Sequence, residues 1–140
     1  MGEEASKRYF TPGEVETLIP ELTQIMGRLM DAHSQARQIR SVLREEQRRI
    51  MVAGGGILDQ VTWQERTRRL EELTRDVQGG ISAIAAAGGI PKDLEVGLVD
   101  FPHVLGGREV NLCWRFGESR IRFWHGLEEG YAARKPLEGA

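Results

Sequence analysis

The groups best suited to chemistry crowd into one stretch, Asp100 to Tyr131, which reads DFPHVLGGREVNLCWRFGESRIRFWHGLEEGY. It holds the only cysteine, Cys113, together with two of the three tryptophans and two of the three histidines. A thiol acts as a nucleophile only with a base beside it. A histidine next to a carboxylate supplies an acid–base couple or a metal ligand. His125 and Glu128, with Tyr131 just beyond, form the best cluster of that kind, and Asp100 adds a second carboxylate. The plainer reading of His125 with Glu128 is a hydrogen-bonded pair that closes a sheet edge. The plainer reading of Cys113, between Leu112 and Trp114, is a small packed residue.

A small sheet must position these groups. From Glu95 the apolar pattern shifts to period two, which predicts strands at about 95–101, 108–115 and 120–125, joined by Gly106-Gly107 and Gly117-Glu118. A two-residue turn at Gly117-Glu118 sets Leu112 opposite Phe123 and Trp114 opposite Ile121, with Val110 on the same face. In that register His125 ends the apolar face. Cys113 then lies on the opposite face with Asn111, Arg115, Arg120, Arg122 and Trp124, so a zinc site joining Cys113 to His125 is disfavoured. The usual paired-cysteine spacings of structural zinc are absent as well. The first strand is apolar on both faces, which leaves the side of Asp100 open. A ligand site is expected as an apolar pocket closed by helices, walled by Trp114 and edged by Asp100, His125 and Glu128, with Tyr131 nearby. No catalytic residue, metal or cofactor is assigned.

The helices come first in the chain. Thr11 can cap, Pro12 suits the first helical position and Glu14 completes a capping box. Pro20 predicts a short helix over 12–18, a kink, and a long helix after it. Leu22, Ile25, Leu29, Ala32, Ala36, Ile39, Leu43 and Ile50 follow steps of three and four, a heptad seam. Ala53 to Gly56 reads as a hairpin turn, since no Gly-Lys-Ser/Thr follows to make it a phosphate loop. A return helix is expected from about Ile57 to Ala87, ended by Gly88-Gly89 and Pro91. Gly79-Gly80 either kinks it or lets another element pack closely. The whole, 1–140, reads as one α+β domain: a long antiparallel, coiled-coil-like helical hairpin over 10–88, then a three-stranded antiparallel β-meander and tail over 94–136.

The bulk composition excludes more than it assigns. A net charge of −2 argues against a strongly basic nucleic-acid binder. Arg37, Arg40, Arg44 and Arg48 make a basic stripe, but Glu45, Glu71, Glu72 and Asp76 are at hand to neutralise it. One cysteine forbids an internal disulfide and fits a reducing cytoplasm. No apolar run reaches the roughly 18 residues that would cross a bilayer.

FTPGEVETLIPEL, VDFP, LCWRFGE and FWHGLEEGY together resemble an uncharacterised prokaryotic family of small proteins, known as a domain of unknown function. The resemblance runs from Phe10 to Pro136 and is most specific at Asp100-Phe101-Pro102, Cys113-Trp114, Gly117-Glu118 and Trp124-His125. Gly126 and Ala133 depart from its pattern, and it implies kinship without an activity. The reading reached is a cytoplasmic, self-associating, non-enzymatic adaptor or small-ligand binder, homodimeric through the hairpin, with an unidentified ligand or protein partner. An enzyme performing metal-assisted hydrolysis with Asp100, His125 and Glu128 is the alternative, and nucleic-acid binding through the arginine-rich faces the third.

Overall fold

The computed structural model describes residues 7–52 and 59–137. The expected turn at Ala53–Gly56 lies outside the described residues. The chain is α+β, with two long helices followed by an antiparallel sheet.

Helix α1 spans Pro12–Val52, 41 residues. Its start is the reciprocal box expected from Thr11 and Glu14: the Glu14 N–H donates to Thr11 Oγ1 at 3.1 Å, and the Thr11 N–H to Glu14 Oε1 at 2.8 Å. The predicted break at Pro20 does not occur, and α1 runs straight through it. Val15 and Ile19 before the proline and Leu22 and Met26 after it are all buried in one core. Burying several such side chains, at roughly 1.5–3 kcal/mol each, outweighs the ~3 kcal/mol that an internal proline costs.

Helix α2 spans Gln60–Ala86 and is capped by Asp59, whose carboxylate accepts the Thr62 N–H at 3.2 Å. Gly79 and Gly80 do not break it. A Cβ on Gly80 would sit 2.7 Å from Leu29 Cδ1, so this glycine marks where α2 closes on α1. The helix ends in a Schellman motif: the Gly89 N–H donates to Ile84 O and the Gly88 N–H to Ala85 O, both at 3.0 Å.

The sheet has five strands rather than three: β1 Ile90–Asp93, β2 Leu98–Leu105, β3 Arg108–Arg115, β4 Phe123–His125 and β5 Lys135–Pro136, paired in that order. The β2–β3 hairpin turns on Gly106 and Gly107, at φ 59° and 80°, as a two-residue type I′ turn demands. One face of the sheet packs on the helices. Val99, Phe101, Leu112 and Trp114 share a core there with Leu22, Met26, Leu29 and Ile84.

The second hairpin departs from expectation. Leu112 pairs with Trp124 and Cys113 with Phe123, one residue out of the register that a Gly117-Glu118 turn would give. The reason is the length of the connection, seven residues from Phe116 to Arg122. Glu118 closes a turn on Arg115, its N–H donating to Arg115 O at 2.9 Å and its Oε1 accepting the Arg115 N–H at 2.8 Å. The chain then leaves the ladder. Ile121 drops into the core on its own, and its N–H donates to the Glu16 carboxylate at 2.9 Å.

Gly88 sits at φ 99°, and a Cβ there would lie 2.3 Å from the buried Phe10 ring. Gly88→Ala should therefore destabilise the fold by more than about 1 kcal/mol, measured as a drop in urea midpoint at unchanged slope.

Candidate functional site: a buried Asp–Cys–His cluster

The observed register redraws the chemistry of the sheet. Directly paired residues share a face, and Asp100 pairs with Cys113, Cys113 with Phe123, and Asn111 with His125. Asp100, Cys113 and His125 thus stand together on the face turned away from the helices. The expectation that Cys113 and His125 lie on opposite faces is overturned, and with it the argument against their sharing a ligand. The side of Asp100, open from sequence, is that of Cys113.

Each of the three is buried, at 2%, 1% and 3% exposure. They come from three neighbouring strands. The Asp100 and His125 side chains meet across β3, with His125 Nε2 at 3.1 Å from Asp100 Oδ1. His125 Nδ1 lies 2.9 Å from Gly126 O. A carbonyl only accepts, so Nδ1 carries a proton and donates it there. Nε2 is left facing the carboxylate, and one proton must lie between the two. One ligand atom from each of Asp100, Cys113 and His125 falls within 4.8 Å of the others, giving an oxygen, sulfur and nitrogen donor set.

The electrostatics follow from burial. Loss of water raises the Asp100 carboxyl above its usual range, and the neighbouring His125 offsets this only in part. Burial likewise pushes the Cys113 thiol up to about 11, against the pull of the Arg134 guanidinium. This thiol is not activated.

A strap after β4 covers the cluster, through a short 3₁₀ turn, Tyr131–Ala133, and into β5. Arg134 anchors it. Its Nη2 donates to Glu118 Oε2 at 2.8 Å and to the Cys113 carbonyl at 3.3 Å. Its guanidinium stacks 4.1 Å over the Phe123 ring and 4.7 Å over that of Tyr131. Burial works against the charge on Arg134, but the hydrogen bond to Glu118 and the electrostatic pull of Cys113, Glu118 and Tyr131 together more than restore it. Arg134 Nε is buried without a hydrogen-bond partner. Glu129 closes the loop, its Oε1 accepting the Gly126 N–H at 2.7 Å and pairing with Lys135 Nζ at 2.6 Å.

Of the residues singled out from sequence, Asp100 and His125 are brought together. Trp114 is fully buried on the other side of the sheet, among the helices, with its Nε1–H donated to Glu118 O at 3.0 Å. The sheet stands between it and His125. Glu128 is exposed, and the carboxylate that reaches the His125 loop is its neighbour Glu129. Tyr131 is a strap residue, its hydroxyl accepting from Arg115 at 3.1 Å. Sequence reasoning set Cys113 apart from His125 and gave Arg134 no role. The acidic-glycine-aromatic pattern before Arg134 was the available signal for the strap.

The burial of Cys113 has a direct readout. In metal-free protein at pH 8, iodoacetamide should alkylate it far more slowly than in urea-unfolded chain, followed by mass spectrometry.

Comparison with known proteins gives kinship alone. No curated protein and no solved structure is similar enough to match the chain. A family model described as "Uncharacterized conserved protein (DUF2203)" matches residues 8–137, which include every element from α1 to β5. The chain belongs to the DUF2203 family of uncharacterised conserved proteins.

Proposed function

We propose that the chain is a non-enzymatic, self-associating cytoplasmic module that holds a small ligand on the outer face of its sheet. The observation that carries this is the convergence of Asp100, Cys113 and His125 in one buried place. Desolvating three titratable groups together costs folding free energy, and functional sites are where such perturbed groups gather. Binding is favoured over thiol catalysis by geometry. His125 is engaged at Nδ1 by Gly126 and at Nε2 by Asp100, so neither nitrogen is free to take a proton from Cys113. Metal-assisted hydrolysis by Asp100, His125 and Glu128 is less favoured because Glu128 stands apart in solvent. Several arginines are taken up by carboxylates in different parts of the fold: Arg37 by Glu95, Arg49 and Arg66 both by Glu46, and Arg134 by Glu118. That dispersal weighs against nucleic-acid binding.

A second observation favours self-association. Among the described residues, none of α1 beyond Ala36 and none of α2 before Leu73 is buried. The seam positions Ile39, Leu43, Ile50, Trp63 and Leu70 are only half-covered there, and Val42, Met51, Val52 and Val61 are exposed. The two helices leave these seam positions half-covered, and two such hairpins paired as a four-helix bundle would cover them. Among the described residues, no helix is long and apolar enough to cross a membrane.

Native mass spectrometry tests the ligand. The wild type should carry mass above the bare chain, and His125→Ala should lose it while keeping its circular dichroism. A wild type at bare mass, with an unfolded His125→Ala, assigns the cluster to the core instead. Sedimentation at micromolar concentration should give a dimer, and Val42→Arg should shift it toward monomer. A wild type that sediments as monomer removes self-association.

A further inference from the structure

We infer that Asp100, Cys113 and His125 are three ligands of a divalent transition-metal site of the zinc class. The inference rests on the reading of this cluster as a ligand site and names the ligand.

Geometry and donor chemistry carry it. Thiolate, imidazole and carboxylate are the ligands zinc takes, at about 2.0–2.3 Å, which places ligand atoms roughly 3.3–3.8 Å apart around a tetrahedral ion. His125 Nε2 and Asp100 Oδ1 already stand at 3.1 Å, and the whole set lies within 4.8 Å. Small side-chain rotations close the remainder. The hydrogen bond from His125 Nδ1 to the Gly126 carbonyl is the outer contact that metal-bound histidines ordinarily make. It fixes the ring and turns the Nε2 lone pair toward the carboxylate, where a cation would take the place of the shared proton. The three strands are rigidly paired, so the donors are presented without an ordering cost from mobile loops.

The mixed sulfur, nitrogen and oxygen set selects the class. Magnesium and calcium want oxygen shells, whereas a thiolate favours zinc and its softer neighbours. Among the described residues the group has three members, which leaves a fourth tetrahedral position for water or an exchangeable ligand. Arg134, which donates to the Cys113 carbonyl, and the Gly126–Glu129 loop, which follows His125, join these ligand residues to the strap.

Full-length protein, stripped with chelator and dialysed, should take up one Zn²⁺ per chain in a competition titration. With Co²⁺ it should show a sulfur-to-cobalt charge-transfer band and the visible bands of a tetrahedral ion. Cys113→Ser and Asp100→Asn, close in size to the native residues, test the ligands without emptying the core. Each should weaken Zn²⁺ by more than about 100-fold, since losing even an outer contact costs ~10–100-fold. Cys113→Ser should also abolish the charge-transfer band at unchanged circular dichroism. His33→Gln, on the helix surface, should leave affinity unchanged. Unaltered affinity in both cluster variants overturns the inference, as does failure of the wild type to bind. If Zn²⁺ fails to bind while native mass spectrometry shows a chelator-resistant adduct that His125→Ala loses, the metal is wrong and the ligand site stands. If the wild type carries and binds nothing, both fall.

Discussion

Side chains alternate along a strand, so the register between β3 and β4 decides which polar groups can meet. Cys113 faces Phe123 across that pair, and His125 therefore rises on the same side as Cys113 and Asp100. A shift by one residue would send His125 into the helical core and leave Cys113 among surface arginines. That register is held from outside the strands. Ile121 sits in the core as an anchor, with its backbone N–H fixed by Glu16 from α1, and the short β4 begins only after it.

Glu118 ties the two sides of the sheet together. Its main chain accepts from Trp114 in the helix-side core, and its carboxylate closes the turn on Arg115 and receives Arg134 from the strap on the outer face. A buried guanidinium needs both a charge partner and a satisfied hydrogen-bonding fork. Glu118 supplies the first, and the Cys113 carbonyl part of the second. Core, turn and cover thus share one residue, so disturbing any of them is felt by the other two.

The helices were legible because their signals are local: a capping box at Thr11 and Glu14, glycines at 88–89, and an apolar repeat from Leu22 to Ala36. Pro20 misled because tertiary burial on both sides of it exceeds its local cost. β3 was legible from alternation, as was the Gly106-Gly107 turn. The second hairpin was not. Gly117-Glu118 has the composition of a tight turn, and nothing local shows that Ile121 leaves the ladder to fill the core. Its apolar character fits a strand position and an anchor equally well, and that single ambiguity moved His125 to the wrong side. β1 and β5 are two to four residues long and take their geometry from the neighbours they pair with, not from their own pattern.

The tapering burial along the hairpin divides the molecule into regions of unequal persistence. Near the sheet, α1 is fastened by the Phe10–Pro102 and Ile121–Glu16 hydrogen bonds and by a continuous core. Past Ala36 in α1 and ahead of Leu73 in α2 no residue is buried, and the Arg37–Glu95 ion pair is an exposed link from that region to the β1–β2 connection. Shallow burial of this kind is where local opening begins, whereas the root rests on a continuous core. Events at the far end of the hairpin, including docking of another chain, are thereby insulated from the Asp–Cys–His cluster.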